Sequence, residues 1–119
     1  MMKNIFLLIV VLLLCTSSCK KETIDTKKYT VSYGINCNEC DVFYTADQAG
    51  TQQSQYKKST GWSYSFEAKQ NQEILFLAYN NTSNPQAVTA TIYLNGDVLE
   101  TRTTYCPISG YAFCVDTLE

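Results

Sequence analysis

A chain of 119 residues with a formal net charge of −2 is long enough for one modest core and a tether, and no more. It contains no histidine, which excludes imidazole acid–base catalysis, His-ligated metals and the usual nucleophilic triads. Nine tyrosines and five phenylalanines, together with Val, Ile and Thr, favour strands.

The first element in chain order is an address. Lys3 supplies a positive start, Ile5 to Cys15 is an unbroken apolar run, and Thr16-Ser17-Ser18 are small residues leading into Cys19. This is a secretory signal peptide ending in a lipobox-like site. The apolar run, about 11 residues or about 16 Å as a helix, covers roughly half of a bilayer core, so it is too short for a conventional span. In bacterial lipoprotein processing the thiol of the first mature residue takes a diacylglyceryl group, and Cys19 matches that role. Thr16 departs from it by standing where Leu is usual. An uncleaved anchor, or a secreted protein cut near Ser17 or Ser18, is the alternative. Two or three acyl chains of the palmitate type on Cys19 satisfy the two-chain requirement for stable anchoring. The expected home is the bacterial cell envelope, lipid-anchored to the outer or inner membrane, with the domain in the periplasm or at the cell surface.

Residues 1–18 are therefore read as signal peptide, 19–28 as lipidated cysteine and flexible tether, and 29–119 as the folded domain. Lys20, Lys21, Lys27 and Lys28 outnumber Glu22 and Asp25 in the tether, whereas acids outnumber Lys57, Lys58, Lys69 and Arg102 beyond it. A basic stalk that can lie against anionic headgroups thus carries an acidic head that nucleic acid would repel.

From Tyr29 onward the apolar period is two. Tyr29, Val31, Tyr33 and Ile35 alternate with Thr30, Ser32 and Gly34; Trp62, Tyr64 and Phe66 alternate with Ser63, Ser65 and Glu67; Val88, Ala90, Ile92 and Leu94 alternate with Thr89, Thr91 and Tyr93. Each reads as a half-buried strand. Asp41 to Thr45 is a further strand, and Ile74 to Tyr79, apolar on both faces, suits a central strand packed between layers. Asn95-Gly96 is the pair that a type I′ turn requires, so strands 86–94 and 97–104 should form a hairpin. Pro107 to Gly110 turns the chain into a last strand, Tyr111 to Val115. About seven short strands with no helical period describe a small all-β, immunoglobulin-like antiparallel sandwich. Trp62 is expected inside it, against Val31, Phe76 and Ile92.

The order "VSY", "DVFYTAD", "GWSYSF", "AYNN", "ATIYLNGDVLETRT" and "YAFCV" resembles the extracytoplasmic domain of the mycobacterial membrane protein small (MmpS) family, over about Val31 to Val115. The matching positions are Trp62, Ser63, Tyr64, Asn95, Gly96 and Cys114. The resemblance implies an immunoglobulin-like sandwich acting as a non-enzymatic accessory to an envelope exporter of the resistance-nodulation-division type. Two departures stand out. The family's cysteine that partners its late cysteine falls here on Ala90, and lipidation of Cys19 replaces the family's transmembrane anchor.

Cys37, Cys40, Cys106 and Cys114 form an even set, which in an oxidising compartment is a disulfide framework with three connectivities. The expected pairs are Cys37 with Cys40 and Cys106 with Cys114, although a four-residue turn at Pro107 would set Tyr111, not Cys114, opposite Cys106. A redox dithiol at Cys37-Asn-Glu-Cys40 needs a helix N-terminus or nearby cations to lower a thiol pKa. Glu39 and Asp41 work against that. A four-cysteine zinc site would need closer spacing than Cys106 and Cys114 have. Asp47, Glu67, Glu73 and Asp97 are scattered carboxylates, and Ser63 and Ser65 lack a base. Asp116-Thr117-Leu118 resembles the O-glycosylation motif of some Gram-negative envelope proteins, which makes Thr117 a candidate acceptor.

No catalytic residue, cofactor or metal site is expected. The leading reading is a membrane-tethered binding or accessory module for an envelope protein. The alternatives are a thiol–disulfide protein using Cys37 and Cys40, and an inhibitor or immunity-type lipoprotein.

Overall fold

The computed structural model describes residues 28–119, so the signal peptide, Cys19 and nearly all of the tether lie outside the described residues. Eight strands follow one another: β1 (Lys28–Asn36), β2 (Cys40–Thr45), β3 (Gln52–Lys58), β4 (Ser63–Lys69), β5 (Glu73–Asn80), β6 (Gln86–Leu94), β7 (Asp97–Cys106) and β8 (Tyr111–Thr117). They form two four-stranded sheets, here called A in the order β4-β1-β6-β7 and B in the order β3-β2-β5-β8. Every pairing is antiparallel. The chain is an all-β two-sheet sandwich, as its period-two pattern demands, with eight strands in place of about seven.

The extra strand is β3. Its sequence, QQSQYKK, has no apolar alternation because it lies at the edge of sheet B with both faces largely exposed. Backbone pairing to β2 holds it there. A bulge opposite Asp41 shifts the register, and the Asp41 carboxylate pins that bulge by accepting the Lys57 N–H at 3.1 Å. The β2–β3 turn is closed by Asp47, whose Oδ1 accepts the amides of Ala49 and Thr51, each at 3.0 Å. Those bonds hold the Asp47 carboxyl below the usual range.

The inward faces meet around Tyr33. Val31, Tyr33 and Ile35 of β1 and Val88, Ala90 and Ile92 of β6 pack against Val42 and Tyr44 of β2, Ile74, Phe76 and Ala78 of β5, and Cys114 of β8. The Tyr33 ring lies 4.8 Å from that of Phe76 and 5.4 Å from that of Tyr44, centroid to centroid. Its hydroxyl is satisfied by donating to the Thr45 carbonyl at 2.6 Å, which ties sheet A to sheet B through the core. Burial and the neighbouring phenols push the Tyr33 pKa well above the ordinary tyrosine range.

Trp62 packs on Phe76 as expected but lies shallower than expected. It precedes β4, the edge strand of sheet A, and is half-buried. Its ring closes the open side of the sandwich, 5.5 Å from Tyr44 and 6.0 Å from Phe76. An edge strand has interior on one flank only, so its first aromatic caps the core while Tyr33, on a central strand, fills it.

The hairpin at Asn95-Gly96 forms as expected, with φ of 50° and 88° at the two turn residues. The turn at Pro107 does something else. Gly110 N–H bonds to the Pro107 carbonyl at 2.9 Å, but β8 then pairs with β5 in sheet B, not with β7. The chain arches from one sheet to the other, which separates the two cysteines that flank the arch.

Candidate functional site

Sheet B has an outer face that no other part of the described chain covers. In β5, Ile74, Phe76 and Ala78 point inward, so Leu75, Leu77 and Tyr79 point outward. Leu75 is opposite Val115, Leu77 opposite Phe113, and Tyr79 opposite Tyr111. On the other flank Phe43 lies beside Leu77, and Asp41 beside Tyr79. The rows thus place seven large apolar or aromatic side chains on three adjacent strands. Tyr111 is 53 % exposed, Val115 42 % and Phe113 37 %, while Leu75, Leu77, Tyr79 and Phe43 are half-buried by one another. The Tyr79 and Tyr111 rings meet at 5.6 Å.

Exposed apolar residues scattered singly are ordinary, whereas a contiguous patch of this kind marks an association surface. Its centre carries no charge. Asp41 stands at the border and is already engaged, accepting from the Lys57 amide and from Asn81 Nδ2 at 2.9 Å. Among the described residues strand β8 is also the free edge of the sheet, so the patch ends in an aromatic strand with unpaired backbone groups on one side. A face of tyrosine, phenylalanine and leucine is suited to burying area against a protein at low entropic cost.

The cysteines resolve into a bonded pair and two separate thiols. Cys37 and Cys40 form a disulfide with Cα atoms 6.5 Å apart, at the corner where the chain crosses from β1 to β2. Cys40 is completely buried and Cys37 is 6 % exposed, so neither sulfur is presented to a large client. The corner is further fixed by the Cys37 amide donating to Thr60 Oγ1 at 3.1 Å, and by the Asn38 amide donating to Gln86 Oε1 at 2.8 Å.

Cys106 and Cys114 are free and buried, which differs from the pairing expected. Cys106 lies opposite Gln86, whereas Cys114 reaches Ala90, with its Sγ 3.5 Å from the Ala90 carbonyl. Those two contact points are four residues apart on β6, about 13 Å at strand rise, so the sulfurs cannot meet without moving backbone. Burial raises the pKa of both thiols. Cys114 is pushed up to about 11, by burial first and by the Glu100 carboxylate second, with Arg102 opposing.

Thr117 ends β8 and is exposed, with its amide bonded to Asp116 Oδ1 at 2.8 Å. Cys19 lies outside the described residues. Among the described residues no group of three or more Cys, Asp or Glu side chains is placed to hold a metal ion. The apolar face of sheet B was missed as a site by sequence reasoning. Its signal was there in the doubly apolar run Ile74 to Tyr79, which is equally the signature of a strand covered on both sides.

No family model matches the chain, and comparison with curated proteins finds no match. The class of protein rests on the fold alone: a small antiparallel two-sheet β-sandwich.

Proposed function

We propose that this protein is a non-enzymatic binding module of the bacterial envelope, held to a membrane by acylated Cys19, which docks a protein partner on the outer face of sheet B. The observation that carries the reading is the uncharged patch centred on Leu77 and Phe113, left open to solvent on three adjacent strands. A chain with this much outward aromatic surface gains by association what it does not gain by folding. The resemblance to the MmpS family supplies the class of partner, an accessory-dependent envelope exporter. Burial of both Cys37 and Cys40 favours a structural role for their disulfide over exchange with clients, since exchange requires an accessible sulfur.

The test is a photo-crosslinking residue placed at position 113 of the lipid-anchored protein in intact envelopes. One discrete adduct with a membrane exporter component, lost when Leu77→Ser is added, is the expected result. Diffuse labelling, or an adduct indifferent to Leu77→Ser, overturns the docking face. A secreted toxin or enzyme in the adduct establishes the inhibitor reading in place of the exporter one.

A further inference from the structure

The opposite face of the molecule has a different chemistry. On the outer side of sheet A the rows read Ser63–Gly34–Thr91–Thr101 and Asn36–Thr89–Thr103 across the strands. These residues are short, so the surface sinks beside the Tyr93 ring. The resulting groove, of about 360 Å³, is lined by Gly34, Asn36, Trp62, Ser63, Thr91 and Tyr93, among others. That volume is at the small end of the range for small-molecule sites.

Both walls are fixed. A Cβ at position 34 would sit 3.3 Å from Tyr93 Cε2, so the tyrosine ring lies close against the sheet in the room that glycine leaves. Trp62 is held at the other end by its stacking on Phe76. The polar groups are in part committed and in part free. Thr89 and Thr91 share hydroxyl bonds with Thr103 and Thr101 at 2.8 and 3.0 Å, and Asn36 Oδ1 accepts from Thr60 Oγ1 at 2.9 Å. Asn36 Nδ2, Ser63 Oγ, Tyr93 Oη and the Trp62 indole N–H have no hydrogen-bond partner among the described residues; Asn36 and Ser63 are exposed residues, and Tyr93 and Trp62 half-buried ones. No Asp, Glu, Lys or Arg lines the groove.

We propose that this groove binds a neutral saccharide. A pyranose ring has an apolar C–H face and a rim of hydroxyls, each of which needs a donor and an acceptor. The Tyr93 ring matches the face, because its negative π surface meets weakly positive C–H groups, and Trp62 borders the groove beside it. The rim is met by an amide donor, an indole donor and hydroxyls that serve either way. The absence of charge excludes phosphorylated, sulfated and carboxylated ligands, which require a cation or a helix N-terminus. The interruption of the aromatic surface by hydroxyls excludes an acyl chain. This groove and the patch on sheet B lie on opposite faces, so the inference stands apart from the docking of a protein partner.

The chain has a single tryptophan, so Trp62 reports on the groove directly. The full lipidated chain, held in nanodiscs to avoid sugar-based detergents, is titrated with maltotriose, cellotriose, mannotriose and chitotriose, and with inorganic phosphate and a sulfated glycan as charged probes. Trp62 emission and the amide resonance of Gly34 are followed. At least one neutral sugar is expected to give a saturable response that weakens at least tenfold in both Asn36→Ala and Tyr93→Ala and is unchanged in Phe113→Ser. Asn36→Ala removes an exposed side chain whose hydrogen bond is the one it accepts from Thr60, so it keeps the test open if Tyr93→Ala fails to fold. The proposal is overturned if no neutral sugar gives a saturable response, if only the charged probes do, or if the response survives Asn36→Ala undiminished.

Discussion

The sulfur of Cys114 on β8 lies 3.5 Å from the backbone carbonyl of Ala90 on β6, a contact made across the sandwich between two residues that are both completely buried. Ala90 is also where the MmpS resemblance places the partner of the late cysteine. Ala90→Cys should therefore bridge to Cys114 under oxidising conditions. Closing a loop of this length restricts the unfolded chain enough to add about 3 kcal/mol on the chain-entropy account. The check is a thiol titration of the denatured, non-reduced variant together with a urea midpoint. Of the domain's cysteines only Cys106 should react, and the midpoint should rise. A Cys114 that remains reactive sinks the expectation.

The natural protein should behave in the opposite way. Cys106 and Cys114 should resist a thiol reagent at neutral pH while the domain is folded, and should both react once it is unfolded, because burial withholds the sulfur and raises both pKa values. The linked pH dependence has a definite sign. A thiol whose folded pKa is about 11 holds its proton more tightly than the unfolded chain does, so its stabilisation is complete below about pH 8.5 and is lost as the pH climbs towards 11. Tyr33 and Tyr44, also raised, act in the same direction at higher pH. Urea midpoints should fall between pH 8 and pH 10.5, and Cys114→Ala should flatten part of that fall. An unchanged slope in Cys114→Ala would remove the thiol from the account.

Tyr33→Phe isolates the bond between the sheets. It deletes the hydroxyl that donates to the Thr45 carbonyl at 2.6 Å and leaves the ring stacking in place. A buried carbonyl that loses its donor costs about 1 to 3 kcal/mol, or several degrees of melting temperature in a domain of this size. A Tyr33→Phe protein that melts with the wild type would show that Thr45 finds another donor.

Sequence pattern was most informative where burial is one-sided. β1 and β6 each have one wet and one dry face, so alternation marks them, and Asn95-Gly96 marks the hairpin through positive φ. β3 has no dry face and left no pattern. The arch at Pro107 was illegible for another reason: a tight turn looks the same whether the next strand stays in its sheet or crosses to the other. Trp62 was placed by its face correctly but not by its depth, because depth depends on whether β4 is central or at an edge, and strand order is set by contacts distant in sequence. The two-sided apolar run in β5 was visible, but whether anything covers its second face is a property of the whole fold.

That second face separates folding from function in adjacent residues. Phe76 points inward and is completely buried, whereas Leu77 points outward beside Phe113. Phe76→Ala should cost about 3 to 5 kcal/mol, since it removes transfer energy and leaves a cavity. Leu77→Ser and Phe113→Ser should each cost less, about 1 to 2 kcal/mol, because their side chains are only partly buried. If the face exists for association, the serine variants should nonetheless lose most of the binding of a hydrophobic dye such as ANS to the folded protein. The two measurements are made on the same samples, a urea midpoint and a dye titration. Serine variants as damaging to stability as Phe76→Ala would mean that the outer residues help to hold the sandwich together. Midpoints near wild type with dye binding removed would leave association as the one role those side chains perform.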